Sequence, residues 1–161
     1  MIRRIVLALS ASLGLVACAG GPAPSTPQAT PSTAAKVEVT WLGQSAFNIT
    51  SPGGKVIVTD PWLRTNPLTP PDYKKLEAFG QIDVLLVSHG HFDHIADAPA
   101  LALMYNTPLR APGDLNNTVM TLGVLPAALL PRMNKGGSFE PVPGIKVTAV
   151  RDPAQLPHRE L

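Results

Sequence analysis

The stretch "VLLVSHGHFDH", residues 84–94, decides how the chain is read. It joins an apolar run of strand length to three of the chain's four histidines and one aspartate, all within the six positions from His89 to His94. An unbroken apolar run of this length predicts a strand buried on both faces. A strand that ends in a polar loop places side chains at a sheet edge, where ligands bind in α/β folds. Imidazole nitrogens and carboxylate oxygens suit zinc and its first-row neighbours, manganese and iron among them. His89, His91, Asp93 and His94 therefore read as half of a metal site, with Gly90 letting the loop turn them toward one point. The alternative, a solvated polar loop, gives no reason for three imidazoles so close together.

Outward from this strand, elements of both kinds alternate. "KVEVTWLG" and "SAFNIT" carry the period of strands, "SPGG" is a turn, and "KVIVTD" is a third strand ending at Asp60. "DPWLRTNPLTPPDY" holds four prolines and predicts an irregular loop, followed by a short helix near Tyr73 to Phe79. Trp62 and Leu63 read as apolar anchors of that loop, with a place at the site entrance as the second option. Beyond the histidines, "IADAPALALMY" predicts a helix interrupted or started by Pro99, "TPLRAP" a short strand, "GDLNNTVMTLG" a capped helix and "GGSFEPVPGIKVTAV" a late hairpin. The class is α/β with a mixed sheet.

The chain has 161 residues and 45% hydrophobic content, enough for one modest domain. Its start, "MIRRIVLALSASLGLVAC", has the basic head, short apolar run and small residues of a secretory signal, residues 1–17. The apolar run is shorter than the roughly 20 residues that a spanning helix needs. "LVAC" resembles the lipobox of bacterial lipoproteins, which implies acylation of Cys18, the single cysteine. Export with membrane attachment through N-terminal acyl chains, facing the periplasm or the cell exterior, is the localisation expected. A Pro/Ser/Thr/Ala-rich stretch, residues 18–35, has no large apolar side chain after Cys18 and reads as a tether. Without Arg3 and Arg4, the 13 basic residues of the full chain fall to 11, equal to the 11 acidic ones. A near-neutral mature chain argues against a nucleic-acid partner, which requires a concentrated positive field.

"HGHFDH" at the end of a buried strand resembles the HxHxDH signature of the metallo-β-lactamase superfamily. "TWLGQSAFNIT", "VIVTDPWL" and "GGSFEPVPGIKVTAV" resemble its branch of predicted metal-dependent hydrolases, the ascorbate-phosphate lactonase-like and N-acyl-phosphatidylethanolamine phospholipase D-like proteins. The resemblance implies an αββα sandwich with metals at one edge between its halves, residues 36–151 being the N-terminal half. It implies that His89 and His91 hold a first zinc ion and that Asp93 and His94 hold a second. Asp60 would orient a ligand or bound water, and Asp93 would also help to orient or receive a proton. A water activated by zinc would then attack an ester, lactone or phosphodiester of a small-molecule or lipid-like substrate. A β-lactamase proper fits export, but the flanking motifs resemble the other branch.

The family's further ligands, a histidine within a His-Ser-Ser run among them, have no counterpart in the closing "RDPAQLPHREL". One permitted coding of residues 151–160, read one base later, gives Gly-Thr-Gln-His-Ser-Ser-His-Ile. Residues 152–161 are therefore expected to be a frameshifted tail, against the alternative that His158 substitutes as a ligand. Half a sandwich would leave one apolar sheet face and an edge uncovered. Two functions follow as expectations: a lipid-anchored zinc hydrolase represented by its N-terminal half, or a truncated, inactive lipoprotein with at most weak metal binding.

Overall fold

The computed structural model describes residues 36–134 and 136–150. The expected signal peptide, Cys18, the tether, the tail at 152–161 and His158 lie outside the described residues. Among those described, no helix is long and apolar enough to cross a membrane.

Five strands form one mixed sheet whose spatial order follows the chain: β1 (Glu38–Gly43), β2 (Ala46–Thr50), β3 (Val56–Thr59), β4 (Val84–Leu86) and β5 (Leu109–Arg110). β1, β2 and β3 are antiparallel neighbours, whereas β3, β4 and β5 run parallel. The α/β class with a mixed sheet is thus observed. Between β4 and β5 lie two helices, α1 (Phe92–Ile95) and α2 (Ala98–Tyr105), and α3 (Gly113–Thr121) follows β5. The late hairpin is β6 (Ser138–Val142) with β7 (Ile145–Thr148), a separate antiparallel pair.

Three local expectations are corrected. The short helix near Tyr73 to Phe79 is two 3₁₀ turns, Pro71–Lys74 and Leu76–Phe79, broken at an extended Lys75. α3 has no side-chain cap at its N-terminus, where Pro112 precedes it; its end is closed instead by Gly123 at φ +67°, whose N–H donates to the Met120 carbonyl. Gly90 is not among the residues at positive φ, so the histidine loop does not use its left-handed freedom. What Gly90 supplies is space, because a Cβ there would stand 3.2 Å from Leu115 Cδ1.

Strand alternation sorts the sheet into two unlike faces. Val58, Leu85 and Leu109 lie side by side on one face, fully buried together with Leu42, Ala46 and Val87. They form one core with Leu63, Phe79, Ile82, Leu101 and Ala102. Each such large side chain contributes roughly 1.5–3 kcal/mol by leaving water. On the opposite face Val39 and Trp41 pair with Ile49 and Phe47. There Val39 is 57% and Trp41 51% exposed, so this second face is apolar and partly open.

Asp83 pins the start of the parallel pairing. Its carboxylate accepts from the Val56 N–H at 2.9 Å, Lys55 Nζ at 3.0 Å and Gln81 Nε2 at 2.9 Å, while its own N–H donates to the Val56 carbonyl. Desolvation pushes this carboxyl upward, but the Val56 hydrogen bond and Lys55 outweigh it, so its pKa lies below the ordinary value. A depressed folded pKa stabilises the fold above the unfolded value of about 3.9, and that contribution disappears as pH falls through the folded value. Asp83→Ala is expected to cost about 2 kcal/mol at pH 7. In urea titrations from pH 7 to 3 the gap between variant and parent should begin to narrow below about pH 4, the unfolded carboxyl value.

Candidate metal centre

The histidine cluster sits where β4 runs out. After Leu86 the chain bends through Ser88, His89 and Gly90, and α1 opens on Phe92 with His91 at its N-cap. His89 and His91 thus leave the loop, whereas Asp93 and His94 leave the first turn of α1. His89 Nε2 and His91 Nδ1 are 2.9 Å apart, and the rings of His89 and His94 pack at 3.9 Å between centroids. The structure brings together all four residues expected as ligands.

Asp60 reaches the same point from the neighbouring strand. Its N–H donates to the Leu86 carbonyl at 2.9 Å, extending the parallel ladder one residue past β3. Its backbone is left-handed, φ +42°, directly before Pro61, a conformation that costs free energy for a non-glycine residue. The carboxylate holds it there: Oδ1 accepts from the Ser88 N–H at 2.7 Å, and Oδ2 lies 3.2 Å from His94 Nδ1. A carboxylate on Nδ1 selects the tautomer that leaves Nε2 unprotonated, the pattern seen behind metal-binding histidines. His94 Nε2 in turn stands 3.7 Å from Asp93 Oδ2.

Two polar residues that sequence reasoning missed complete the arrangement. The Ser88 hydroxyl lies 3.0 Å from His89 Nδ1 and 3.2 Å from His94 Nδ1, between the two rings. Gln44, in the β1–β2 turn at φ +53°, donates from Nε2 to Asp93 Oδ2 at 3.3 Å. Adjacency to His89 could have drawn attention to Ser88. Nothing in the spacing points to Gln44, 49 residues from its partner.

Burial lowers the pKa of His89, and the positive charge that His94 and His91 would carry lowers it further, against the opposing pull of Asp60 and Asp93. His89 is therefore a neutral imidazole at neutral pH, the form in which imidazole binds a metal. In type and proximity the donors fit a zinc-class ion. Their arrangement is closed, however: among the described residues no group of three or more His, Cys, Asp or Glu side chains is disposed to hold one ion. Two imidazole nitrogens on a tetrahedral zinc stand roughly 3.3 Å apart. The 2.9 Å hydrogen bond between His89 and His91 would have to open by a few tenths of an ångström.

Asp97 has a structural role that sequence reasoning also missed. It occupies the N-cap position of α2, but its side chain makes no cap bond. Instead it turns back to the proline-rich loop, accepting from the Leu63 N–H at 2.7 Å, the Arg64 N–H at 3.0 Å and Arg64 Nε at 2.6 Å. Leu63 is fully buried, an anchor of the loop as expected, while Trp62 lies beside the histidine loop, its ring 5.3 Å from that of Phe92.

Comparison with known proteins identifies the family. Residues 38–156 match the family model described as "Beta-lactamase superfamily domain". A protein of Polaromonas named UPF0173 metal-dependent hydrolase is 61% identical over 137 residues, 85% of this chain and 50% of the relative's length. A protein of the same group from Cupriavidus necator is 47% identical over 156 residues, 92% of this chain and 53% of its own length. The chain therefore spans about half the length of these curated relatives. Among solved structures, Igni18, a metallo hydrolase from the archaeon Ignicoccus hospitalis, is 28% identical at a TM-score of 0.50, covering 65% of this chain and 42% of that one. With the match running through both sheets and the histidine loop, the chain belongs to the beta-lactamase superfamily.

Proposed function

We propose that this chain provides the histidine-bearing half of a metal-dependent hydrolase, with zinc as the ion. The observation that carries this reading is the convergence of His89, His91, Asp93 and His94 at the end of β4, with Asp60 bonded to His94 from β3. A bound zinc-class ion would supply Lewis acidity toward a carbonyl or phosphoryl oxygen and lower the pKa of bound water to about 7. His89 and His91 are assigned to one ion, Asp93 and His94 to a second. Asp60 fixes the His94 tautomer, and Gln44 steadies the Asp93 carboxylate against rotation. An ester, lactone or phosphodiester each suits such a site. The N-terminal sequence supports an exported, lipid-anchored protein acylated at Cys18 and attached to the membrane by its acyl chains.

Competitive-chelator zinc titration of the full chain tests this. His91→Ala should weaken zinc binding, and Asp60→Ala should weaken it about 10- to 100-fold by freeing the His94 ring. Zinc affinity unchanged by either substitution would overturn the assignment. A second reading, an inactive polypeptide with weak metal binding, is favoured by the closed arrangement of the donors. It predicts no zinc bound at micromolar protein and no hydrolysis of p-nitrophenyl acetate or bis(p-nitrophenyl) phosphate.

A further inference from the structure

Resting on the hydrolase reading, we propose that Trp62 and Phe92 form an aromatic shelf that binds the apolar chain of an acyl substrate beside the histidine centre. A singly exposed phenylalanine carries no meaning in itself. Here its position does. Phe92 lies in the chain between His91 and Asp93, opens α1 and is 68% exposed. Trp62 stands two residues after Asp60, and its ring meets Phe92 edge to face at 5.3 Å and 74°. The two rings are thus attached to both segments that build the centre.

The shelf is rigid on its Trp62 side. The indole Nε1–H donates to Thr65 Oγ1 at 2.6 Å, the Trp62 N–H donates to the Asp60 carbonyl at 2.9 Å, and the Trp62 carbonyl accepts from Asn66 Nδ2 at 3.0 Å. With its polar atoms bonded, the indole offers ring carbon to whatever lies beside Phe92. Fixed aromatic surface binds apolar groups at little entropic cost.

The polar side of the centre favours a carboxylic over a phosphoric ester. Among the described residues, the bonds of the cluster go to one another or to Ser88, Gln44 and Asp60, and none goes to a lysine or arginine. Anionic phosphodiesters are commonly recognised by guanidinium or ammonium groups. An uncharged ester or lactone with an alkyl or aryl chain needs none. Its carbonyl faces the centre while its chain lies on Trp62 and Phe92.

The test reads Trp62 directly. The chain has two tryptophans, so Trp41→Phe leaves Trp62 as the sole indole reporter. In that background, 11-bromoundecanoate should quench Trp62 fluorescence saturably, at half-saturation tenfold or more below that of 3-bromopropionate, since each added methylene strengthens apolar binding. Phe92→Ala should raise half-saturation for the long probe at least fivefold and leave the short one unchanged. Phe92→Leu, which keeps apolar surface, should recover part of the loss. Equal half-saturation for both probes, absence of saturable quenching, or indifference to Phe92→Ala would each overturn the shelf. Titrations with and without zinc separate the two claims. Long-chain preference in both, without tightening by zinc, keeps the shelf and counts against the metal centre; zinc binding without long-chain preference does the reverse.

Discussion

Asp97→Ala is expected to lower the unfolding free energy by about 3 kcal/mol, a large part of the 5–15 kcal/mol that holds a typical domain together. One carboxylate, 4% exposed, accepts from two backbone N–H groups and one guanidinium. Without it the Leu63 N–H is left without its partner inside a fully buried residue, and an unsatisfied buried donor costs about 1–3 kcal/mol by itself. The Arg64 side chain, 57% exposed, can turn to water, so the loss comes chiefly from the backbone donors. Asp97→Asn keeps the shape and one acceptor oxygen, and about half of the loss is expected. Urea unfolding checks both: the midpoint should fall with little change in slope. The loop begins at Asp60 and Trp62, so Asp97→Ala should also loosen the side of the centre that they supply. A midpoint within error of the parent would show that the loop is held by other contacts.

Gly43→Ala should be comparably damaging, by about 3 kcal/mol, for two additive reasons. At φ +101° a Cβ is strained in any surroundings, worth about 1–2 kcal/mol. A Cβ here would also stand 2.8 Å from Asn66 Nδ2 and 3.1 Å from the Leu68 carbonyl carbon. Asn66 is fully buried and ties the loop together, donating to the Trp62 carbonyl and accepting from the Leu68 N–H, so it cannot withdraw without breaking a bond. Gly54→Ala is the control: φ is +75°, but nothing lies within 4 Å, and about 1 kcal/mol is expected. The difference between the two variants isolates the steric part. Equal losses would mean that Asn66 yields freely and that the β1–β2 turn is not wedged against the loop.

Much of the fold was legible because the relevant signals are local. The apolar run before His89, the alternation of β1 and β2, the proline clustering after Asp60 and the late hairpin each show in a window of a few residues. Asp93 and His94 are adjacent, and His89 and His91 are two apart, so their gathering needed only a loop at the end of a strand. Where expectation failed, a competing local signal had two structural outcomes. Proline and acidic residues near Tyr73 mark a helical turn without deciding between α and 3₁₀ winding. Asp97 drew no expectation because it stands at the N-cap of α2 while its carboxylate serves a loop 33 and 34 residues upstream.

By itself the sequence determined the α/β class, the family, the four residues gathered at the end of β4 and the place of Asp60 at the end of β3. The class and the strand ends rest on periodicity and the gathered donors on their chemistry, both written in residue order, while the family rests on the resemblance of its motifs. Only the tertiary structure decided that Gln44 reaches Asp93, that Ser88 lies between His89 and His94, and that Trp62 meets Phe92. It also decided that Gly90 supplies room for Leu115 rather than a left-handed turn. Each of these depends on which strands lie side by side and on how the loop after β3 folds back, and such contacts between distant segments leave no period in the chain.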